Sequence, residues 1–368
     1  MVKERRKIYD FLSVFFCIFG GYIGYANVPI YEVKNYMKIG FITLGAVMLL
    51  ISLIIKIVKK ELSKKQMVIA LLIAVTGTMV WYRMKELYIF LLIALNFIDK
   101  DIKELMKYIF ISCLTSYLFV IFMCIMGQFP DDVIMRENIA RHKLGFVHPN
   151  ICFRFYLPIV ISGAITFNND IRFLGVCSII SILLFILTNS RAGIVIINLF
   201  VLLALVPRKI KKKLYNPMII PYAFLFATLL SLVLGAFSDG FETMNAWFSN
   251  RPDLWKEYIE QVKFIGNGTE NINTALDNIF VRLLYSAGII GYIFYAYLFF
   301  AATLKKGAKE NYNLFALCIT VFIYGLMENC TSVGECFMLL PMLISILDGD
   351  KLKELKDDCE VKEIQLIE

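Results

Sequence analysis

Apolar stretches of membrane-spanning length alternate with short polar loops along most of the chain. A transmembrane helix needs about 15 to 22 mainly apolar residues, so the pattern predicts about twelve spans. The predicted fold class is an all-α, polytopic membrane helix bundle. In chain order, the expected spans are 8–26, 38–58, 66–82, 86–98, 108–127, 150–167, 173–188, 192–206, 217–236, 279–304, 313–327 and 336–347.

Two loops on the predicted outer side are longer than hairpins, 128–149 and 237–278, and the second precedes the tenth span. In a chain of 368 residues, the spans leave no room for a sizeable soluble domain. We therefore assign residues 1–348 to one integral membrane domain and the charged segment 349–368 to a cytoplasmic tail.

The second long loop contains an amphipathic stretch. Trp255 and Tyr258 fall on one helical face, whereas Lys256 and Glu257 fall on the other, and Pro252 lies in the first turn. This pattern predicts a helix that lies on the outer membrane surface.

Composition supports a membrane protein. Hydrophobic residues make up 59% of the chain, the mean hydropathy is +0.70, and charged residues make up only 18%. Soluble domains carry about 25% charged residues, so the chain has too much apolar surface for a soluble fold. We therefore expect the chain to be embedded in a lipid bilayer, with lipids as its partners.

The excess of basic residues that gives the net charge of +8 lies in the short loops beside the predicted spans. If successive spans cross the membrane in opposite directions, the basic segments all lie on one side. The positive-inside rule makes that side cytoplasmic, and both termini lie on it. The charge therefore reflects topology and predicts no nucleic-acid partner. The side assignment depends on the two short spans around Arg83 and Lys85, because losing one would invert everything downstream. The basic segments are 3–7, 56–65, 100–107, 208–213, 305–309 and 351–356.

Several arginines fall on the predicted outer side, where the positive-inside rule disfavours them. Arg191 lies in a tight turn between two spans, Arg251 begins the amphipathic stretch, and Arg282 falls in the first turn of the tenth span. A guanidinium group is always charged and can hold phosphate oxygens through two parallel hydrogen bonds. The leading interpretation is recognition of a lipid-linked phosphate or diphosphate.

The alternative for these arginines is that they reach lipid headgroups or pair with acidic residues such as Glu242, Asp253 or Glu328. That alternative is stronger for Arg136 and Arg141 in the first long loop than for Arg191 in its tight turn.

Histidine is scarce, with only His142 and His148, so the chain cannot build a zinc cluster of histidines. His148 immediately precedes Pro149 and Asn150, a combination typical of a helix start. Its ring would then lie at the outer mouth of the sixth span, able to donate to a phosphate or take a proton from a hydroxyl. A role in capping or packing that turn is the alternative.

Acidic candidates lie near the same predicted boundary. Asp277 and Asn278 precede Ile279 at a helix start, where both residue types are favoured as caps, and for Asn278 we favour the cap. Glu328 ends the eleventh span, where a negative charge opposes the helix dipole. A cationic partner or a proton-handling role is implied for Glu328.

Four short motifs, in this order, resemble the O-antigen and capsular polysaccharide polymerases and their ligase relatives. The resemblance extends from about Arg141 to Glu328, whereas the N-terminal spans are similar only in hydropathy. The motifs are Leu144-Gly145-Phe146-Val147-His148-Pro149-Asn150, then Leu187-Thr188-Asn189-Ser190-Arg191-Ala192-Gly193, then Arg251 with Trp255 and Gly266-Asn267-Gly268, and finally Leu276-Asp277-Asn278 followed by Gly288.

The resemblance implies a metal-independent glycosyltransferase of the bacterial cytoplasmic membrane with no cofactor. Such an enzyme moves a growing glycan from undecaprenyl diphosphate onto a new undecaprenyl-diphosphate-linked oligosaccharide, at the outer face of the membrane. A chain-length regulator and a flippase are the partners implied. The ligases have His-Asn where this chain has Asp277-Asn278, so polymerase is favoured over ligase. A transporter or flippase of lipid-linked oligosaccharides is the other alternative.

The resemblance also implies roles for particular residues. Arg191 and Arg251 occupy positions at which the family places arginines that bind the diphosphate, with Arg282 in support. Asn150 and Asn278 belong to the matched motifs and are further candidates for substrate contact. For the proton of the acceptor hydroxyl, the candidates are His148 or Asp277, with Glu328 as the second choice.

Overall fold

The chain is mostly helical in the computed structural model, which describes residues 2–59, 93, 96–97, 102–136, 138–206, 210, 216, 218–240, 251–268, 276–304 and 312–328. In lipid, a helix satisfies its backbone polar groups within one segment, which favours this architecture. The described helices are α1 (Val2–Tyr25), α2 (Tyr31–Val58), α3 (Ile102–Ile125), α4 (Pro149–Thr166), α5 (Ile171–Thr188), α6 (Arg191–Leu205), α7 (Ile219–Ala236), α8 (Arg251–Ile259), α9 (Ile279–Leu304) and α10 (Tyr312–Gly325). A single 3-10 turn, Ser238–Gly240, follows α7, and two strands, β1 (Val133–Arg136) and β2 (Ile139–His142), lie between α3 and α4.

Five of the described helices are long and apolar enough to cross a membrane, namely Arg6–Tyr25 within α1, and α2, α3, α5 and α7. Shorter apolar segments occur in α6, α9 and α10. The architecture is that of a helical membrane protein, as the hydropathy pattern predicts. The predicted spans 66–82 and 336–347, most of 86–98, and the tail 349–368 lie outside the described residues, so the figure of about twelve spans stays a prediction.

Helix α4 lies at the centre of the described bundle. Every residue from Ile151 to Ile165 is buried, and the helix packs against α3, α5 and α6. Where α6 crosses it, a Cβ added to Gly193 would stand 2.2 Å from the Phe153 ring. Close approach of two membrane helices requires such small residues, so this contact keeps α4 tightly held.

At one end of the bundle, α1 and α3 begin side by side. Lys7 Nζ lies 3.4 Å from a carboxylate oxygen of Glu104. One turn further along α1, Asp10 Oδ1 accepts hydrogen bonds from Ser52 Oγ at 2.5 Å and Asn96 Nδ2 at 2.7 Å. The C-terminal half of α2 therefore reaches this end as well, and the opposite end is the one where α1 and α3 finish.

The loop 128–149 contains an antiparallel hairpin, which the all-α prediction did not include. Strands β1 and β2 pair in register along all four residues of each. Asp131 Oδ1 accepts from the backbone N–H of Leu144 at 2.7 Å, and Val147 N donates to Tyr25 O at 3.0 Å. These bonds fix the hairpin against the last turn of α1.

The amphipathic stretch forms α8, but its apolar face packs on protein. Trp255 and Tyr258 are buried with Leu234 of α7 and Val281 and Tyr285 of α9. The rings of Tyr258 and Tyr285 meet edge to face, with centroids 4.9 Å apart. The prediction that α8 lies on the membrane surface is therefore wrong for these two side chains, because neighbouring helices cover them.

Helix α9 is broken at Gly288, where φ is 73° and ψ is −174°. The segment 263–268 runs beside the break, and Asn267 N donates to Tyr285 O at 2.8 Å. A Cβ on Gly288 would stand 2.3 Å from the backbone nitrogen of Gly266. The loop backbone therefore supplies hydrogen bonds that a continuous helix would have made, which ties the loop after α8 to α9.

Candidate functional site

Polar and charged side chains from five parts of the chain meet at the end of the bundle where α1 finishes. Four of these parts are β2, the first two turns of α4 with the residue before it, the start of α8, and the first turn of α9 with the residues just before it. The fifth is the short segment that follows α10. We call this set the end cluster. It consists of Arg141, His148, Asn150, Arg154, Arg251, Asp277, Arg282 and Glu328.

Arg251, the first residue of α8, lies between two carboxyl groups. Its Nη2 is 3.1 Å from Asp277 Oδ2 and 3.8 Å from Glu328 Oε1, and its Nη1 donates to the carbonyl oxygen of Met327. A quarter of the Arg251 side chain remains exposed. The group is therefore held in position by the protein and still accessible to a ligand.

Glu328 is the most deeply buried acid of the cluster, with 4% of its side chain exposed. Its Oε1 accepts a hydrogen bond from Asn150 Nδ2 at 2.6 Å. Burial, reinforced by the charge of Asp277, raises the pKa of Glu328 to about 7, although Arg251 and Arg154 oppose the shift. A carboxyl group of this kind can exchange a proton near neutral pH.

Asp277 shares Arg251 with Glu328 and is more open, with 23% of its side chain exposed. Burial raises the pKa of Asp277, and the positive charges of Arg251, Arg154 and Arg282 oppose that shift. Two carboxyl groups beside one guanidinium disfavour each other's charged form, and the deeper one takes up a proton first.

Arg141 connects the hairpin to the centre of the cluster. Its Nε donates to the carbonyl oxygen of Thr188 at 2.9 Å, and its Nη2 donates to Asn150 Oδ1 at 2.7 Å. Because a guanidinium group only donates, Oδ1 must be the acceptor and Nδ2 the donor of the Asn150 amide. Arg141 therefore orients the amide that contacts Glu328.

His148 caps α4, as the sequence alternative suggested. Its Nδ1 accepts from the backbone N–H of Asn150 at 3.2 Å, which assigns the proton of the neutral ring to Nε2. Burial and the charge of Arg141 lower the pKa of His148 to about 4, with smaller effects from Lys143, Arg251 and Arg154. The ring is therefore neutral near pH 7 and suited to donating a hydrogen bond.

Asn278 has the capping role favoured from the sequence. Its Oδ1 accepts from the backbone N–H groups of Phe280 at 2.9 Å and Val281 at 3.1 Å, and its Nδ2 donates to Ser231 Oγ at 2.9 Å. The residue is fully buried. Its amide holds the start of α9, and so the position of neighbouring Asp277.

The remaining predicted arginines lie at the edge of the cluster. Arg282 is partly buried in the first turn of α9, where its charge acts on Asp277. Arg191 is exposed at the first residue of α6. Burial, followed by the charges of Arg136 and Arg191, lowers the pKa of Arg141, so Arg191 lies within electrostatic range of the cluster.

Sequence reasoning did not select two arginines of the cluster. Arg154 is 5% exposed and lies 5.2 Å from the centre of the Tyr25 ring, in cation–π geometry. Its position one helical turn after Asn150 is the signal that could have found it. Arg141 is also 5% exposed, so it contacts protein and not lipid headgroups, and only the folded hairpin reveals this.

The cluster combines four guanidinium groups with two carboxyl groups and one neutral imidazole, so its net charge is positive. Within the described residues, no group of three or more His, Cys, Asp or Glu side chains could hold a metal ion. The arrangement can bind an anion and can hold a proton on a buried carboxyl group.

Comparison with known proteins leaves the chain without a match. No family model, curated protein or solved structure is similar to it.

Proposed function

We propose that this protein is a polysaccharide polymerase of the bacterial cytoplasmic membrane, which transfers a growing glycan from undecaprenyl diphosphate onto a new lipid-linked repeat unit. The observation that carries the proposal is the convergence of four arginines and two carboxyl groups, one of them buried, at one end of an apolar helix bundle. The reaction needs a binding site for a leaving diphosphate and an acceptor for a hydroxyl proton, and both occur in this cluster.

The arginines would neutralise the charge that develops on the leaving diphosphate. Arg251 is partly exposed, and carboxylate and carbonyl groups hold its guanidinium group in position before any diphosphate binds. Arg282 and Arg191 lie at the edge of the cluster, where they would bind the second phosphate group of the diphosphate. Guanidinium groups suit this task because they bind phosphate oxygens in pairs.

Glu328 is our choice for the acceptor of the hydroxyl proton. A base with a pKa near the working pH is the most effective proton acceptor, and Glu328 meets that condition. His148 is the better hydrogen-bond donor, because its Nδ1 already accepts from the backbone and its ring stays neutral. We assign His148 to holding a phosphate or sugar oxygen through its Nε2–H.

The packing of the helix ends supports an outer location for the cluster. Contact between Lys7 and Glu104 joins the N-terminal ends of α1 and α3, which carry the basic segments 3–7 and 100–107. The end cluster is at the opposite end of the same helices. Under the positive-inside rule, the basic end is cytoplasmic and the cluster faces outward.

Residues of the four motifs that carry the resemblance are far apart in the sequence but lie close together in the structure, which supports the proposal. Arg141 contacts Thr188 and Asn150, Asn150 contacts Glu328, and Arg251 contacts both acids. Arg251 and Asp277, from two of the motifs, are therefore in direct contact. Asn150 and Thr188, from the other two, both accept hydrogen bonds from Arg141.

The test uses purified protein in lipid vesicles with a synthetic undecaprenyl-diphosphate repeat unit. A polymerase produces a ladder of longer lipid-linked glycans, and Arg251→Ala removes it. The matched control is Arg172→Ala, which removes an exposed arginine from the opposite end of the bundle. Movement of the substrate across the bilayer without new glycosidic bonds would instead identify a transporter, and transfer only to an acceptor without a prenyl chain would identify a ligase.

A further inference from the structure

In this structure the guanidinium group of Arg251 is occupied by groups of the protein itself. Its Nη2 faces the carboxyl groups of Asp277 and Glu328, and its Nη1 donates to the Met327 carbonyl oxygen. A diphosphate that binds Arg251 must therefore compete with two carboxyl groups for the same donors. Two negative carboxylates beside an incoming anion would also repel it.

Glu328 differs from Asp277 in a way that suggests how this competition is relieved. Only 4% of the Glu328 side chain is exposed, compared with 23% for Asp277. The Asn150 amide, held in one orientation by Arg141, donates to Glu328 Oε1. The Asn150 amide fixes one oxygen of the Glu328 carboxyl group, and the group is shielded from water. Its ionised form therefore depends strongly on stabilisation by the positive charge of Arg251.

We propose that transfer of a proton to Glu328 removes one of the two carboxylate charges beside Arg251 and thereby favours binding of the diphosphate to this guanidinium group. This inference rests on the proposed function. It adds a coupling between uptake of the hydroxyl proton and departure of the diphosphate. Gain of a proton by Glu328 and gain of negative charge by the leaving group then both occur beside the Arg251 guanidinium group.

The chemical step balances as follows. The acceptor hydroxyl oxygen attacks the anomeric carbon, and the bond from that carbon to the diphosphate oxygen breaks, with its electron pair going to the phosphate oxygen. The proton of the hydroxyl goes to a carboxylate oxygen of Glu328. Glu328 loses one negative charge as the diphosphate gains one, so the total charge around Arg251 does not change.

The charged groups around Glu328 are consistent with this exchange. Arg251 faces it from α8, Arg154 from α4, and Asp277 from the segment before α9. Arg141 of the hairpin also interacts with the site, since the negative charge of Glu328 opposes the lowering of the Arg141 pKa by burial and by Arg136. His148 stays neutral near pH 7, which leaves the carboxyl groups as the proton carriers of the cluster, and burial raises the pKa of Glu328 to about 7.

The test measures proton uptake during anion binding, with inorganic pyrophosphate as the probe and purified wild-type protein in detergent. Infrared difference spectroscopy should show a protonated carboxyl band when pyrophosphate is added. The band should be absent from Glu328→Gln, and this variant should bind pyrophosphate about fivefold or more tightly than the wild type, because the competing charge has been removed. The control Glu260→Gln changes an exposed acid outside the cluster and should keep the band.

Isotopic labelling of the glutamate carboxyl groups in the wild-type protein must shift the band, which keeps the test independent of how well the variant folds. Pyrophosphate binding without a protonated glutamate band would overturn this inference and leave the proposed function standing. Absence of pyrophosphate binding from the wild type, the variant and the control would overturn the proposed function itself.

Discussion

The side-chain amide of Asn150 donates to Glu328 Oε1 at 2.6 Å, although 178 residues separate the two along the chain. The bond joins the first turn of α4 to the end of α10, and Arg141 holds the amide from its other side. A buried carboxyl group at the centre of the cluster is thus positioned by a side chain from a distant helix.

Replacing Asn150 with Ala should destabilise the protein by about 1–3 kcal/mol, because buried Glu328 and Arg141 both lose a hydrogen-bond partner. Thermal unfolding of purified protein in detergent measures the change. A double-mutant cycle with Glu328→Ala, which removes the acceptor oxygen, should give a coupling energy of about 0.5–3 kcal/mol. Strict additivity of the two substitutions would show that the bond contributes nothing.

The pH dependence of stability should reflect Glu328. Its pKa is raised from 4.5 to about 7, so the folded protein favours the protonated acid. The resulting stabilisation is fully present below about 4.5 and is lost as the pH rises through about 7. The melting temperature should therefore fall over this range in the wild type and less steeply in Glu328→Gln, and identical slopes would contradict the assignment.

The pH dependence of the proposed polymerase activity should have the opposite sign. A proton acceptor must be ionised to work, so the rate should rise as the pH passes through about 7. In Glu328→Gln the rate should be low and should lack that rise. Initial rates of glycan extension at several pH values provide the measurement.

Arg251→Ala should lower the rate of glycan extension by about 10²-fold or more, the usual cost of losing one preorganised electrostatic contact. Arg251→Lys should recover little of that loss, because an ammonium group does not reproduce the paired geometry around Asp277 and Met327. Arg172→Ala should retain wild-type rates. Normal extension by the Arg251 variants would remove this residue from the mechanism.

Gly288→Ala should disrupt the break in α9. At a φ of 73° and a ψ of −174° only glycine is readily accommodated, with a cost of about 1–3 kcal/mol for other residues. The added Cβ would also meet the backbone of Gly266. The matched control is Gly175→Ala in α5, where a Cβ meets open space. A lower melting temperature for Gly288→Ala alone is the expected result, and equal melting temperatures would contradict it.

Much of the helical architecture could be predicted from the sequence, because its signals act over a few residues. The expected segment 279–304 coincides with α9, and the segment 150–167 differs from α4 by one residue at each end. The caps at His148 and Asn278 were also predictable, since a capping side chain bonds to backbone groups within three residues.

Other features depended on contacts that no local pattern encodes. The periodicity of α8 correctly identified the apolar face that contains Trp255 and Tyr258. It did not predict that neighbouring helices cover this face, because an apolar face packs equally well against lipid or protein. The hairpin was missed because its strands are only four residues long. Without the hairpin, nothing in the sequence indicates that Arg141 is buried.

Apolar length and capping chemistry are local properties, so an apolar, helical membrane protein with charged residues at the helix ends follows from the amino-acid sequence alone. Which of those helix ends meet is visible only in the folded protein. Arg251, Asp277 and Glu328 share one site because α8, α9 and α10 finish or begin at the same end of the bundle. That arrangement is set by helix packing, which depends on contacts between residues far apart in the chain.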